Sequence, residues 1–427
     1  MNRYILIVLL FAASVKQSEA QSNGPLEQVT PELAGFSSER LERIDNLLNE
    51  WVQKGWMQGG EALIARNGKI VYYKATGYND LDIKSRLQKD GIFRIASQTK
   101  AITSVAIMIL FEEGRLLLND PVSKYIPSYK NQKVLDKFNI ADTSYTTVAS
   151  NREVSIKDLL THTSGIGYAM IGSRESNAIY AKNKLTAGIG GTDETLLEAM
   201  TRLGTLPLMH QPGQKWTYGL NTDLLGCLVE VISGMTLNDF FRTRIFEPLG
   251  MKDTYFTIPK GKASRLVKIY TEDSTGKLIK SKGGLLNGPV GPEYPLLEKK
   301  FYSGGAGLSS TIYDYAIFLQ MLLNGGEYNG KRILSRNAVR MMTMNQIGEA
   351  EFRSDDKFGL GFQIVSEKNG NVPAQPGTFS WGGAYATSYW VDPKEKIVML
   401  LYRQLQRTTH GEIVEKFRAL TYGALDN

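Results

Sequence analysis

Three serines in this chain are followed by a lysine three residues on: Ser97 with Lys100, Ser274 with Lys277 and Ser354 with Lys357. Such a pair can do acyl-transfer chemistry. A serine hydroxyl is a weak nucleophile until a neighbour takes its proton, and a partly desolvated lysine can be that base or relay. The pattern arises by chance about once or twice in a chain of this length, so context must separate the three. Ser274 and Ser354 lie in polar, turn-like stretches. Ser97 follows the β-rich Phe93-Arg94-Ile95 and opens an apolar run over residues 101–114. That run predicts a buried helix capped by Gly114. Residues i and i+3 share a helix face, so the Lys100 ammonium reaches the Ser97 hydroxyl. The helix start adds positive potential and free N–H groups. The plainer alternative is a capping serine followed by an exposed first-turn lysine.

Other chemistries find little support. No Gly-x-Ser-x-Gly elbow occurs, and the three histidines, His162, His210 and His410, sit in or beside turn-like or helix-start sequence and read as structural. The single Cys227 excludes an intramolecular disulfide, and with three dispersed histidines it makes no zinc finger. No metal or organic cofactor is expected. Two further segments carry chemistry. Tyr218 follows the Pro212-Gly213 turn and precedes a helical pattern. A tyrosine beside an ammonium loses its proton more readily and can serve as base, then acid. Trp381-Gly382-Gly383-Ala384 interrupts a β-rich stretch. Glycines there allow close approach by a ligand, and an N–H there can pair with that of Ser97 as an oxyanion hole. A buried aromatic and a β-bulge are the alternatives for these two segments.

The elements that must position these residues are legible in outline. Leu41, Ile44, Leu47, Leu48 and Trp51 repeat at helical spacing, with Ser37 or Ser38 as cap. Two β-rich runs then flank Asn67-Gly68, a hairpin signal. Residues 222–234 and 236–246 predict helices, and 258–300 reads as a long polar loop. Strands over 358–366, 378–392 and 396–404 precede a last helix over 410–425. Strands at both ends around a helical middle imply a discontinuous α/β domain, residues 21–95 and 301–427, and a mainly helical domain with active-site loops, residues 96–300.

The first 20 residues carry Arg3, an apolar run from Ile5 to Val15, and Ser18-Glu19-Ala20, the pattern of a signal peptide cleaved after Ala20. Export to the periplasm or medium is therefore expected. The run is too short to cross a bilayer, and no later stretch is long enough, so stable membrane insertion is not expected. The charge is +7, from 50 basic and 43 acidic residues, with no basic-aromatic cluster, which argues against nucleic-acid binding. No signal sets the oligomeric state.

In order, the phrases FRIASQTKAITSVAIMILFEEGRLLLNDPVSKYIP, IKDLLTHTSGIGY, the Tyr218 segment, IFEPLGMKDTYF, SGGAGLSSTIYDYAIFLQMLLNGG and FSWGGAYATSYWVDP resemble the serine β-lactamase-related superfamily, over roughly residues 30–425. The branch is that of class C β-lactamases, D-alanyl-D-alanine peptidases and family VIII esterases. The resemblance implies an α+β fold of β-lactamase/transpeptidase type: an antiparallel sheet flanked by helices plus an inserted, mainly helical domain. It implies Ser97 as acylated nucleophile, Lys100 and Tyr218 in proton transfer, and Ser97 and Ala384 as oxyanion donors. Two departures bear on substrate. Tyr218-Gly219-Leu220 stands where β-lactamases have Tyr-x-Asn, leaving Asn221 one position late. Trp381-Gly382-Gly383 stands where they have Lys-Thr-Gly, replacing a cation by a neutral aromatic, as in family VIII esterases. A neutral carboxylic ester is the expected small-molecule substrate. The rivals are a β-lactam or cell-wall peptide, with Lys260, Lys262 or Lys280 to Lys282 supplying the cation, and a non-catalytic cell-wall ligand-binding protein on the same scaffold.

Overall fold

The computed structural model describes residues 24–185, 189, 193–284 and 290–426. The expected signal peptide lies outside them. The chain opens with helix α1 (Ser38–Gln53), whose Ser37 side chain accepts from the Arg40 N–H, and all five apolar residues of its stripe are buried. Strands β1 (Gly59–Arg66) and β2 (Lys69–Asp80) follow as a hairpin. Its turn residues Asn67 and Gly68 have φ of 53° and 75°, the left-handed pair that an Asn-Gly turn supplies cheaply. Helix α2 (Thr99–Glu112) buries every residue from Thr99 to Leu110.

A second hairpin, β3 (Lys133–Phe138) with β4 (Tyr145–Ala149), sits in the stretch expected to be helical. Most of its residues face solvent, so it lacks the apolar alternation that marks a half-buried strand. Helix α3 (Asn221–Ser233) packs against α2, and a helical stretch of equal length from Leu237 to Leu249 follows it. The segment expected as a plain loop over 258–300 contains a short hairpin, β5 (Tyr270–Glu272) with β6 (Leu278–Lys280), turned at Gly276. Three-residue strands are too short for a period-2 pattern to register.

Helix α4 (Ile312–Leu323) lies on the sheet. Strands β7 (Phe379–Gly383), β8 (Thr387–Asp392) and β9 (Ile397–Tyr402) are followed by helix α5 (Ile413–Gly423). The main sheet runs from the short Glu27–Gln28 strand through β2, β1, β9, β8 and β7 to two-residue strands at Gln363–Ile364 and Lys357–Phe358. Only the Glu27–Gln28 pairing is parallel. Strand β9, from the C-terminal end of the chain, pairs with β1 from the N-terminal end, Met399 opposite Ile64.

Both faces of this sheet are covered, and β9 is apolar throughout for that reason. Ile397, Met399 and Leu401 join the core formed with α1 and α5, whereas Val398, Leu400 and Tyr402 join the larger core containing α2 and α4. The fold is thus α+β, a mainly antiparallel sheet between helical layers. No single described helix is long and apolar enough to cross a membrane.

Candidate active site

Ser97 sits in a single 3-10 turn, Ala96–Gln98, that runs directly into α2. The turn is entered through Ala96 at φ 43°, a left-handed conformation that costs a non-glycine residue about 1 kcal/mol or more. Lys100 is 2% exposed, so it is not a surface residue of a first turn. Its Nζ donates to the Gly305 carbonyl at 2.8 Å and lies 3.4 Å from Ser97 Oγ. The other two Ser-x-x-Lys sequences differ in kind. Thr275 and Lys277 N–H groups donate to Asp273 in the exposed β5–β6 turn. Ser354 lies on an exposed turn at φ 48°.

A buried ammonium needs a counter-charge. Asp223 on α3 is fully buried and accepts from the Gly305 N–H at 3.2 Å and from Ser303 Oγ at 2.6 Å. One residue, Gly305, thus takes Lys100 on its carbonyl and Asp223 on its N–H. Burial pushes the Asp223 carboxyl above the usual range, and the Lys100 charge pulls it back.

Tyr218 Oη lies 2.7 Å from Ser97 Oγ, and Lys100 Nζ stands 4.7 Å from the centre of the tyrosine ring. The ring is walled by Tyr168 at 5.3 Å, His162 at 5.1 Å, Trp216 at 5.9 Å and Trp381 at 5.7 Å. Ser97, Lys100 and Tyr218, from three stretches of sequence, therefore form one hydrogen-bonded group. Two of the three histidines, His162 and His210, hold it in place. Thr217 N–H donates to the His162 carbonyl at 2.8 Å, and His162 Nδ1 accepts from Asn221 Nδ2 at 2.9 Å. Burial, then the Lys100 charge, holds the His162 ring well below its usual pKa. His210 Nδ1–H donates to the Gln211 carbonyl, and its Nε2 accepts from Thr217 Oγ1 at 2.8 Å. His410 stacks on Trp56, ring centres 4.0 Å apart. Asn221 is fully buried, its amide engaged by His162 and, at 2.5 Å, by Ser164.

The Trp381-Gly382-Gly383 stretch does not interrupt its strand, as the sequence suggested. All three residues stay in register with β8, and the chain turns only at Ala384–Ala386. Gly383 is needed for protein packing rather than ligand approach. A Cβ there would lie 2.3 Å from the Ile95 carbonyl oxygen and 2.3 Å from Thr387 Oγ1. Gly382 is open by comparison, its nearest such contact being 3.3 Å. That packing sets the end of β7 against the Ser97 turn. Among the described residues neither the Ser97 nor the Ala384 N–H has a hydrogen-bond acceptor. A hydroxyl flanked by a phenol and an ammonium, with free N–H groups nearby, can take up an acyl group.

The lysines offered as substitute cations are engaged elsewhere or exposed. Lys262 pairs with Asp253 at 2.7 Å, Lys280 pairs with Asp80 and Asp82, and Lys260 and Lys282 face solvent. Four contributors went unread in the sequence: Gly305, Asp223, Trp216 and Arg353, whose guanidinium lies 5.2 Å from the Trp381 ring. Gly305 stands in the SGGAG phrase, and Trp216 and Asp223 stand in the Tyr218 segment.

Residues 44–422 match the family model described as Beta-lactamase. Protein Rv1367c of Mycobacterium tuberculosis is 33% identical over 366 residues, 83% of this chain and 87% of that protein. Esterase EstB of Burkholderia gladioli is 28% identical over 372 residues, 84% of this chain and 89% of that protein. The solved structure of EstCE1, a hydrolase with promiscuous acyltransferase activity, superposes with a TM-score of 0.76 at 24% identity, covering 90% of this chain and 98% of that one; this likeness is one of fold. With the sheet, the helices and the family match in agreement, the chain belongs to the Beta-lactamase family and is a serine hydrolase of that superfamily.

Proposed function

We propose that this protein is an exported carboxylic-ester hydrolase that works through an acyl-enzyme on Ser97. Ser97 Oγ attacks the ester carbonyl carbon while its proton passes to the Tyr218–Lys100 pair. The carbonyl oxygen, now negative, is held by the Ser97 and Ala384 N–H groups. Collapse breaks the bond to the alcohol oxygen, which leaves with the proton returned by Tyr218. Water, deprotonated by the same pair, then attacks the acyl-serine, releasing the acid and restoring the Ser97 hydroxyl.

One observation carries the choice of esters: Trp381. At the end of β7, facing the Tyr218 ring, this buried neutral indole stands where family β-lactamases present a cation to the substrate carboxylate. The name of the Burkholderia gladioli relative, an esterase, supports the same reading. The test is a pair of assays, short-chain nitrophenyl esters and a chromogenic cephalosporin, on the mature protein and on Ser97→Ala. Ester cleavage lost in Ser97→Ala is expected. Robust cephalosporin turnover with no ester cleavage refutes the ester reading, and activity unchanged by Ser97→Ala refutes the site. Export is checked by the N-terminal residue of protein from the native host, expected to be Gln21; an intact Met1 refutes it.

A further inference from the structure

The wall around Tyr218 is not without charge. Arg353 projects from a turn outside the sheet, and its guanidinium lies 5.2 Å from the Trp381 ring, 5.8 Å from Phe352 and 5.9 Å from Trp216. Trp216 and Trp381 both contact the Tyr218 ring. Among the described residues the Arg353 side chain makes no ion pair or hydrogen bond, though acidic residues surround it in sequence. Two of those neighbours are engaged otherwise. Asp356 accepts from Gln363 Nε2 at 2.6 Å and Asn369 Nδ2 at 2.7 Å, and Glu349 lies 3.9 Å from Lys357. The turn itself is fixed in an uncommon shape, with Ser354 and Asp355 at φ of 48° and 66°. Asp356 anchors its far end to the sheet-edge segment. The indoles lie beside the guanidinium without using its N–H donors, and those donors form a fork suited to a carboxylate.

We infer that Arg353 is a substrate-binding residue, and that the preferred esters carry a carboxylate lying across Trp381 from the scissile carbonyl. The inference rests on Ser97-dependent ester cleavage and replaces the neutral ester expected from the sequence with an anionic one. The cation missing from the end of β7 is supplied instead through the face of the tryptophan that replaced it. An apolar or planar portion of the substrate packs on the Trp381 and Trp216 rings, and the anion meets Arg353.

The test compares two nitrophenyl esters of matched length, one of a dicarboxylic acid with its second carboxyl free and one with that carboxyl capped as a methyl ester. Enzymes are wild type, Arg353→Gln and Arg353→Lys. Wild type should favour the free acid in kcat/KM, and rising salt should erode that preference because the site is exposed. Arg353→Gln should lower kcat/KM for the free acid about ten- to a hundredfold, chiefly through KM, and change the capped ester far less. Arg353→Lys should restore part of the effect. No wild-type preference, or equal loss on both esters in Arg353→Gln, overturns the inference and leaves Arg353 a packing residue. If wild type cleaves neither ester, the ester reading falls separately. Arg353 is then read from acylation of Ser97 by benzylpenicillin against its methyl ester, where slowing confined to the free acid supports the inference and any other result overturns it.

Discussion

Gly383→Ala is the most exacting test of how this site is built. Gly383 has no left-handed φ, so alanine meets no backbone strain there. The obstacle is contact alone. The new Cβ would meet the Ile95 carbonyl oxygen and Thr387 Oγ1 at 2.3 Å each, distances that real Cβ atoms do not show. The threonine hydroxyl can rotate away. The Ile95 carbonyl cannot, because it belongs to the backbone two residues before Ser97, and Gln98 N–H donates to it. Restoring an ordinary separation moves the end of β7 away from the Ser97 turn by roughly 1 Å, and a misplacement of that size costs on the order of a hundredfold in rate. That equals about 2.7 kcal/mol on the barrier. Overpacking should also lower stability by about 1–3 kcal/mol. Gly382→Ala is the control, because its closest contact, Thr387 O at 3.3 Å, needs a shift of only a few tenths of an ångström. The assay is kcat/KM on a short-chain nitrophenyl ester, with urea unfolding and circular dichroism on the same samples. Expected are a loss near a hundredfold for Gly383→Ala in a folded protein and a loss of a few-fold at most for Gly382→Ala. Equal activities in the two variants would show that the end of β7 does not position the reacting groups.

Three further outcomes follow from the same geometry. Tyr218→Phe keeps the ring packed between Tyr168, Trp216 and Trp381 and removes only the 2.7 Å contact to Ser97; kcat should fall about 10²- to 10⁴-fold with stability changed by less than about 1 kcal/mol, and retained activity would remove Tyr218 from the proton path. Burial, with the Lys100 charge in the case of His162, holds the His162 and His210 rings below their usual pKa, so both are neutral across the working range and the pH–rate profile should show no limb near 6.5; a limb there that His162→Asn abolishes would contradict this. Glu61, buried in β1, has its pKa pushed well above the usual value by burial, with Tyr73 pulling it partly back. The folded state then holds a proton that the unfolded chain releases above about pH 4.5, so stability falls as pH rises from there through the folded-state pKa. Glu61→Gln should remove that slope, read as urea midpoints between pH 5 and 8, and a slope unchanged by the substitution would refute it.

What could be read in the sequence was what is local. The Ser97–Lys100 spacing, the apolar helix behind it and the Asn67-Gly68 turn each depend on residues a few positions apart. What could not be read was whether Lys100 is buried. The same four-letter pattern at Ser274 and Ser354 ends in exposed turns, and only the packing of α3 and the 303–305 loop over α2 makes the difference. The partners that matter most lie far away in sequence: Gly305 is 205 residues from Lys100, and Tyr218 is 121 residues from Ser97. The β3–β4 hairpin escaped for the opposite reason, because its exposed strands carry no burial pattern.

The scarcity of histidine has a structural counterpart. A histidine base gains and loses its charge near neutral pH and needs a partner on its second nitrogen to fix the tautomer. Here the imidazole nearest the nucleophile, His162, is neutral and fixed by Asn221, with its carbonyl holding the Tyr218 segment. The buried polar pair is instead Lys100 and Asp223, joined through the carbonyl and the N–H of Gly305. Such a pair persists only while both members and their bridge are in place, since removing either leaves the other buried and unmatched. The chemistry of the site therefore depends on α2, α3 and the 303–305 loop keeping their mutual packing. That is why the nucleophile sits in a turn that runs directly into a deeply buried helix rather than on a surface loop.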